Sequence, residues 1–160
     1  MPAGPQRRTE LLLVCSSGGH LQQLIALRHA WEDFSRVWVT FDRSDSRSLL
    51  VGETVVHAYG PTNRSLWALL RNFVLAIRVL MSTRPRVVLT TGAGVAVPFV
   101  WLGRLSGARV VYVESATRIE APSLSLRLVR PFVSQLYVQW PELQQALPSA
   151  RYCGSVFDVT

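Results

Sequence analysis

Residues 11–20, Leu-Leu-Leu-Val-Cys-Ser-Ser-Gly-Gly-His, restrict the fold of this chain more than any other stretch. A short apolar run breaks into a glycine turn, after which Leu21, Leu24, Ile25 and Leu27 recur at helical spacing. That succession opens a Rossmann-type βα unit. Paired glycines let backbone approach a ligand closely, and the helix behind them presents free N–H groups at the positive end of its dipole. Ser17, Gly18 and Gly19 therefore read either as an anion cradle, phosphate above all, or as a tight turn serving helix–strand packing. His20 stands at the mouth of the turn, where a near-neutral imidazole can accept a proton.

The alternation continues along the chain. Strands are expected at 11–15, 36–41, 54–57, 87–90, 109–113 and 136–139, and helices at 20–31, 65–81 and 95–105. Strands alternating with helices imply a Rossmann-like, doubly wound parallel sheet, α/β in class, covered on both faces. Ligands of such sheets lie beyond the carboxyl ends of the strands, at the switch point. The loops that matter are then 16–20, 91–94 and 114–118.

Composition narrows the partners. With 160 residues and 49% hydrophobic content, the chain supports a single domain, 11–157, behind a polar, flexible N-terminus at 1–10. All 17 basic residues are arginine, giving a net charge of +7. Arginine suits bidentate phosphate or carboxylate binding, and a GC-rich coding bias produces the same enrichment. Phosphorylated ligands and an anionic membrane surface fit this balance. Nucleic acid does not, since no aromatics interleave with the arginines. Cys15 and Cys153 show no metal or redox spacing, so no metal or cofactor is expected and a reducing compartment is. Residues 1–10 do not resemble a signal peptide, and the uncharged stretch 87–103 reads as strand, turn and helix rather than a membrane span.

Four further features carry possible chemistry. Thr91-Gly92-Ala93-Gly94 repeats the glycine device after the fourth strand, and a pair of such turns suits a diphosphate, with Pro98 placed harmlessly early in the next helix. Glu114 leaves the fifth strand at the same edge as a base, a hydroxyl binder, a partner for His20, a helix cap or a structural mate of Arg118; Arg118 is itself a phosphate ligand candidate. Arg64, Arg71 and Arg78 recur every seven residues on an otherwise apolar helix bearing Trp67 and Phe73, which is either a core helix with one wet edge or a helix dipping into anionic headgroups. Asp42 ends the second strand where a dinucleotide-binding acid would stand, but the G-x-G-x-x-G pattern is missing and residues 42–47 read as a solvated loop. Trp140 and Pro141 read as packing or subunit contact, where a strand runs into a turn.

Taken together, Ser16–Leu21 (SSGGHL), Thr91–Val95 (TGAGV) with Pro98, Glu114–Arg118 (ESATR), Ser123–Ser125 (SLS) and Val138–Leu143 (VQWPEL) resemble the PssD/CpsF polysaccharide-biosynthesis family. That family is related to the membrane-recruiting subunit of the dolichol-linked GlcNAc transferase, and the chain also resembles the N-terminal half of MurG. The resemblance implies the acceptor-side, membrane-facing half of a GT-B glycosyltransferase split across two chains, peripheral on the inner face of the plasma membrane. A PssE-like partner would bind the UDP-sugar, and the acceptor would be a lipid-diphosphate-linked sugar. It further implies His20 or Glu114 as the base, and acceptor binding by Ser17, Gly18, Gly19, Gly92, Gly94, Arg118 and Arg64. Trp67, Phe73, Arg71 and Arg78 would face the membrane and Trp140 the partner. The contrasting readings are a non-catalytic membrane adaptor that activates its partner and, more remotely, a stand-alone NAD-binding protein.

Overall fold

A computed structural model describes residues 9–61 and 65–158. Seven parallel strands form one sheet in the order β3-β2-β1-β4-β5-β6-β7: β1 Leu11–Val14, β2 Arg36–Phe41, β3 Val55–Ala58, β4 Val87–Thr90, β5 Arg109–Val113, β6 Gln135–Val138 and β7 Arg151–Tyr152. The order reverses between β1 and β4, so the switch point lies where the two glycine turns leave the sheet. Leu12, Leu13 and Val14 have no exposed surface, as expected of a strand covered on both faces.

The helices are α1 Gly19–Ala26, α2 Ser44–Leu49, α3 Leu66–Thr83, α4 Ala96–Leu105, α5 Leu124–Val129 and α6 Pro141–Ala146. On one face α3, α4 and α5 pack over Val88, Val110 and Tyr112. On the other, Leu21 and Leu24 of α1 meet Leu13, Trp38 and Leu89. Right-handed crossovers explain this division, because the chain winds outward through α1 and then returns over the opposite face through α3.

Several expectations shift. The first helix ends at Ala26 and yields to a single 3-10 turn at Arg28–Ala30, where Trp31 Nε1 donates to the Leu24 carbonyl at 2.8 Å. The 42–47 segment is not a plain loop: it holds α2, whose buried Ser46 hydroxyl donates to the carbonyls of Phe41 and Arg43. Pro141 opens α6 rather than a turn, at a first-turn position that needs no N–H. The second face is also only partly covered. Val87, Leu89, Val111, Val113 and Tyr137 line an apolar groove of about 580 Å³ beside residues 153–156.

Residues 1–8 lie outside the described chain, and Glu10 is tied down, accepting from the Ser35 N–H at 2.9 Å. α3 is long and apolar enough to cross a membrane by length and composition. Yet it is the β3–β4 crossover, packed on α4, and it buries Ala68, Asn72, Ala76, Val79 and Leu80. Asn72 clamps the Tyr59 backbone from both sides, accepting from its N–H at 2.8 Å and donating to its carbonyl at 2.7 Å.

Candidate functional site

The loops after β1, β4 and β5 converge at the carboxyl edge of the sheet. His20, in the first turn of α1, places Nδ1 2.8 Å from the Thr91 carbonyl, while the Thr91 hydroxyl donates to the His20 carbonyl at 2.8 Å. A carbonyl only accepts, so Nδ1 carries a proton in this bond, and in the neutral ring Nε2 is then the nitrogen with the lone pair. The orienting group of His20 is thus a backbone carbonyl. The expected pairing with Glu114 is not formed: the hydrogen bonds of Glu114 go to Ser115 and Ser123 instead.

Glu114 is 1% exposed. One carboxylate oxygen accepts from the Ser115 N–H at 2.9 Å, the other from the N–H and hydroxyl of Ser123, each at 2.9 Å. Ser123 in turn accepts from Leu126 N–H as the N-cap of α5. These bonds hold the 114–123 loop and the start of α5; the cap itself is Ser123, and no hydrogen bond of Glu114 goes to Arg118.

Gly92 explains how tightly the turns meet. Its φ is +99°, and a Cβ there would fall 2.5 Å from Tyr112 Oη and 3.7 Å from His20 Cε1. Only a residue without a side chain fits. Ala93 follows at φ +75°, a left-handed conformation that costs a non-glycine residue about 1 kcal/mol. Such strain persists where the surroundings over-determine it. Tyr112 Oη stands 3.5 Å from the Ser123 hydroxyl. Burial, and next the Glu114 charge, push the Tyr112 hydroxyl above its ordinary pKa, while Arg118 is near enough to lower it in part. A phenol held neutral beside His20 can donate a hydrogen bond but does not serve as a base.

The helix ends at this edge differ in their caps. Ser65 and Ser123 cap α3 and α5, whereas α1 and α4 start at Gly18 and Val95 with no side-chain cap. At α4 the N–H groups of Ala96 and Val97 already donate to the Ala93 and Gly94 carbonyls, at 3.1 and 3.3 Å, and Pro98 has none, so of the two it is α1 whose uncapped N-terminus leaves donors for an anion. The first donor of the cradle is nevertheless taken, since Gly18 N–H donates to Asp45 Oδ2 at 2.6 Å. Gly18 and Gly19 face solvent, Ser17 and Gly94 are half-buried, and Arg118 is exposed.

Two glutamines that the sequence did not single out hold the loops together. Gln23 Oε1 accepts from Ala116 N–H at 2.9 Å and from Gln139 Nε2 at 2.7 Å. Gln139 Nε2 also donates to the Glu114 carbonyl, and its Oε1 accepts from Val156 N–H at 3.0 Å. The available signal was a polar residue at an inward position of α1, next to Leu24. Trp140 Nε1 donates to the Ala116 carbonyl at 2.6 Å, so this indole ties loops together while remaining 37% exposed.

Of the α3 residues, Trp67, Arg71 and Arg78 point outward, with Leu66, Leu70, Val74, Ile77 and Met81 beside them. Phe73, one helical turn from Leu70 and Ile77, is half-buried. Arg71 stacks on Tyr59, its guanidinium 3.8 Å from the ring centroid. Arg64 lies outside the described residues. Asp42 forms an exposed two-point pair with Arg47 at 2.6 and 2.8 Å, which holds its carboxyl below the usual range and engages both oxygens that a ribose would need.

The topology, with the strand order reversing between β1 and β4, defines a Rossmann-like α/β domain. It superposes on MurG of Acinetobacter baumannii with a TM-score of 0.68 at 15% identity, covering 84% of this chain and 42% of that one. Against UDP-N-acetylglucosamine 2-epimerase from Rickettsia bellii the TM-score is 0.70 at 9% identity, over 93% and 45% of the two chains.

The chain belongs to the family described as "Oligosaccharide biosynthesis protein Alg14 like", which it matches over residues 54–156. Relatives named UDP-N-acetylglucosamine transferase subunit ALG14 include that of Mus musculus, 28% identical over 95% of this chain and 85% of the relative. That of Eremothecium gossypii is 42% identical over 49% of this chain and 38% of the relative.

Proposed function

We propose that this chain is the acceptor-binding, membrane-facing half of a two-chain glycosyltransferase, working with a donor-binding partner that holds the UDP-sugar. The observation that carries this reading is the edge where the loops after β1 and β4 meet at His20, Thr91 and Gly92, in a chain whose relatives are named as transferase subunits. The acceptor is a polyprenyl-diphosphate-linked sugar, in lipid-linked oligosaccharide synthesis or, following the PssD/CpsF resemblance, in exopolysaccharide or capsule synthesis. The chain sits on the inner face of the plasma membrane through the outer face of α3. Two features support a heteromer: the uncovered apolar groove along β4–β6, and the exposed ring of Trp140 near its end.

The chemistry follows from His20. The acceptor hydroxyl oxygen attacks the anomeric carbon of the UDP-sugar with inversion. The bond from that carbon to UDP breaks and the diphosphate leaves with the electron pair. The hydroxyl proton passes to His20 Nε2, the imidazole being held by Nδ1–H on the Thr91 carbonyl. The first-turn donors of α1 and the Gly92–Gly94 turn, with Arg118 and Arg64, hold the acceptor diphosphate. Glu114 acts as a positioning residue for the loop that carries Arg118.

The adaptor reading draws on one observation, the Asp45 carboxylate already seated on Gly18 N–H. Copurification with the product of a neighbouring PssE-like reading frame, followed by transfer assays on a polyprenyl-diphosphate-sugar, separates the two. The half-enzyme predicts turnover only from the pair, and a drop of about 10³-fold in His20→Ala with assembly intact. Undiminished turnover in His20→Ala would remove His20 from the role, and a complex active without both His20 and Glu114 would favour the adaptor.

A further inference from the structure

At the amino edge of the sheet, the far end from His20, the last turn of α3, the end of α4 and the starts of β4 and β5 enclose a pocket of about 690 Å³. Its apolar wall is Ile77, Leu80 and Met81 of α3 with Leu102 of α4. Its charged wall is Arg84, Arg86 and Arg109, and among the described residues no acidic one lines it.

Local structure forces these arginines together. Arg84 ends α3 in a left-handed conformation, φ +46°, with its N–H on the Leu80 carbonyl. Two residues on, Arg86 accepts on its carbonyl from the Arg109 N–H at 2.9 Å, and Arg109 lies in register with Val87 across β4 and β5. Among the described residues none of the three side chains forms a hydrogen bond or ion pair, and all three are exposed. Three like charges around a hollow without a carboxylate repel one another, and an anion relieves that repulsion.

The wall chemistry selects among anions. A free phosphate would use the arginines and leave the apolar wall idle. An anionic phospholipid uses both, its phosphate in the arginine fork and the first part of an acyl chain against Ile77, Leu80, Met81 and Leu102. The pocket is also continuous with the outward stripe of α3, since Ile77 and Met81 belong to both. We infer that this pocket binds one anionic phospholipid of the bilayer on which α3 rests. The inference builds on the membrane-facing reading of α3. It is separate from the acceptor site: the 18 residues of α3 at about 1.5 Å each put about 27 Å between the two ends. A lipid held at one end and an acceptor at the other would set the tilt of the domain on the membrane.

The test uses the full chain with vesicles of phosphatidylcholine alone or with 30% phosphatidylglycerol, and native mass spectrometry of chain extracted from the latter in mild detergent. Wild type should retain one phosphatidylglycerol. The triple variant Arg84→Gln, Arg86→Gln, Arg109→Gln should lose that lipid and bind the anionic vesicles about tenfold or more weakly. A charge-matched control, Arg127→Gln, Arg130→Gln, Arg151→Gln, should keep the lipid. Ser106→Trp fills the pocket from its rim without altering charge and should also expel the lipid. Equal losses in both triple variants, or retention of the lipid in the pocket triple or in Ser106→Trp, overturns the site. Inorganic phosphate competing as well as a short-chain phosphatidylglycerol would overturn the apolar half of the assignment. The α3 reading fails separately, if Trp67→Ser with Leu70→Ser leaves vesicle binding intact while the pocket variants abolish lipid retention.

Discussion

The carboxyl edge of the sheet and the outer face of α3 are built on opposite terms. At the edge, His20, Gln23, Glu114 and Gln139 each have hydrogen-bond partners within the domain, and the Gly92 turn is packed to the limit against Tyr112. On α3, Leu66 is 85% and Trp67 68% exposed, with Arg71 and Arg78 among them. A proton acceptor is effective only when held within hydrogen-bond reach, so its surroundings must be rigid and satisfied. A surface that meets a fluid bilayer needs only apolar area and cationic charge, and tolerates loose definition. The difference teaches that, on the proposed function, the same domain carries one site specified by geometry and one by composition.

The largest effect should come from breaking the edge. Gly92→Ala adds a Cβ that falls 2.5 Å from Tyr112 Oη at φ +99°, and should cost about 3 kcal/mol in urea unfolding. Tyr112→Phe in the same chain should recover part of this loss. A variant as stable as wild type would mean that the three loops do not meet as tightly as described.

A smaller effect should appear with alkali. Burial pushes the Cys15 thiol up to about 12, and burial with the Glu114 charge raises Tyr112. Both groups hold their protons more tightly folded than unfolded. Their contribution is therefore complete below the ordinary thiol value of about 8.5 and is lost as pH rises through the folded values. The melting temperature should be level from pH 7 to 8 and fall steadily above pH 9. Vesicle binding at pH 9 should match that at pH 7, because the arginines of α3 keep their charge. A melting temperature constant to pH 11 would remove the buried groups from the account.

The smallest change in stability belongs to the outer face. Trp67→Ser with Leu70→Ser should alter unfolding by less than about 0.5 kcal/mol, since both side chains already stand in solvent. The same pair should weaken vesicle binding about tenfold. Strong destabilisation would show that this face is covered within the domain, and the contrast between the regions would vanish.

Much of the fold was legible as pattern. β2, β4 and β5 fall at 36–41, 87–90 and 109–113 because each is an apolar, β-branched run between breakers. The parallel sheet and its switch point follow from the alternation alone. α2 and α5 were hidden because six-residue helices leave too little apolar period to read, and their start depends on capping by Ser46 and Ser123.

Local sequence decided what depends on neighbours along the chain: the strand–turn–helix units, the two glycine turns, the position of His20 at the start of a helix and the arginines of α3. Folding in three dimensions decided the rest, because it depends on residues far apart in the chain. The Thr91 carbonyl, 71 residues from His20, fixes which ring nitrogen is free. Ser123 donates to the Glu114 carboxylate, Gln139 reaches Gln23 across 116 residues, and Arg109 joins Arg84 and Arg86 only where β4 and β5 pair. A hydrogen bond or a charge cluster between distant segments leaves no period in the sequence, so only the packed chain reveals it.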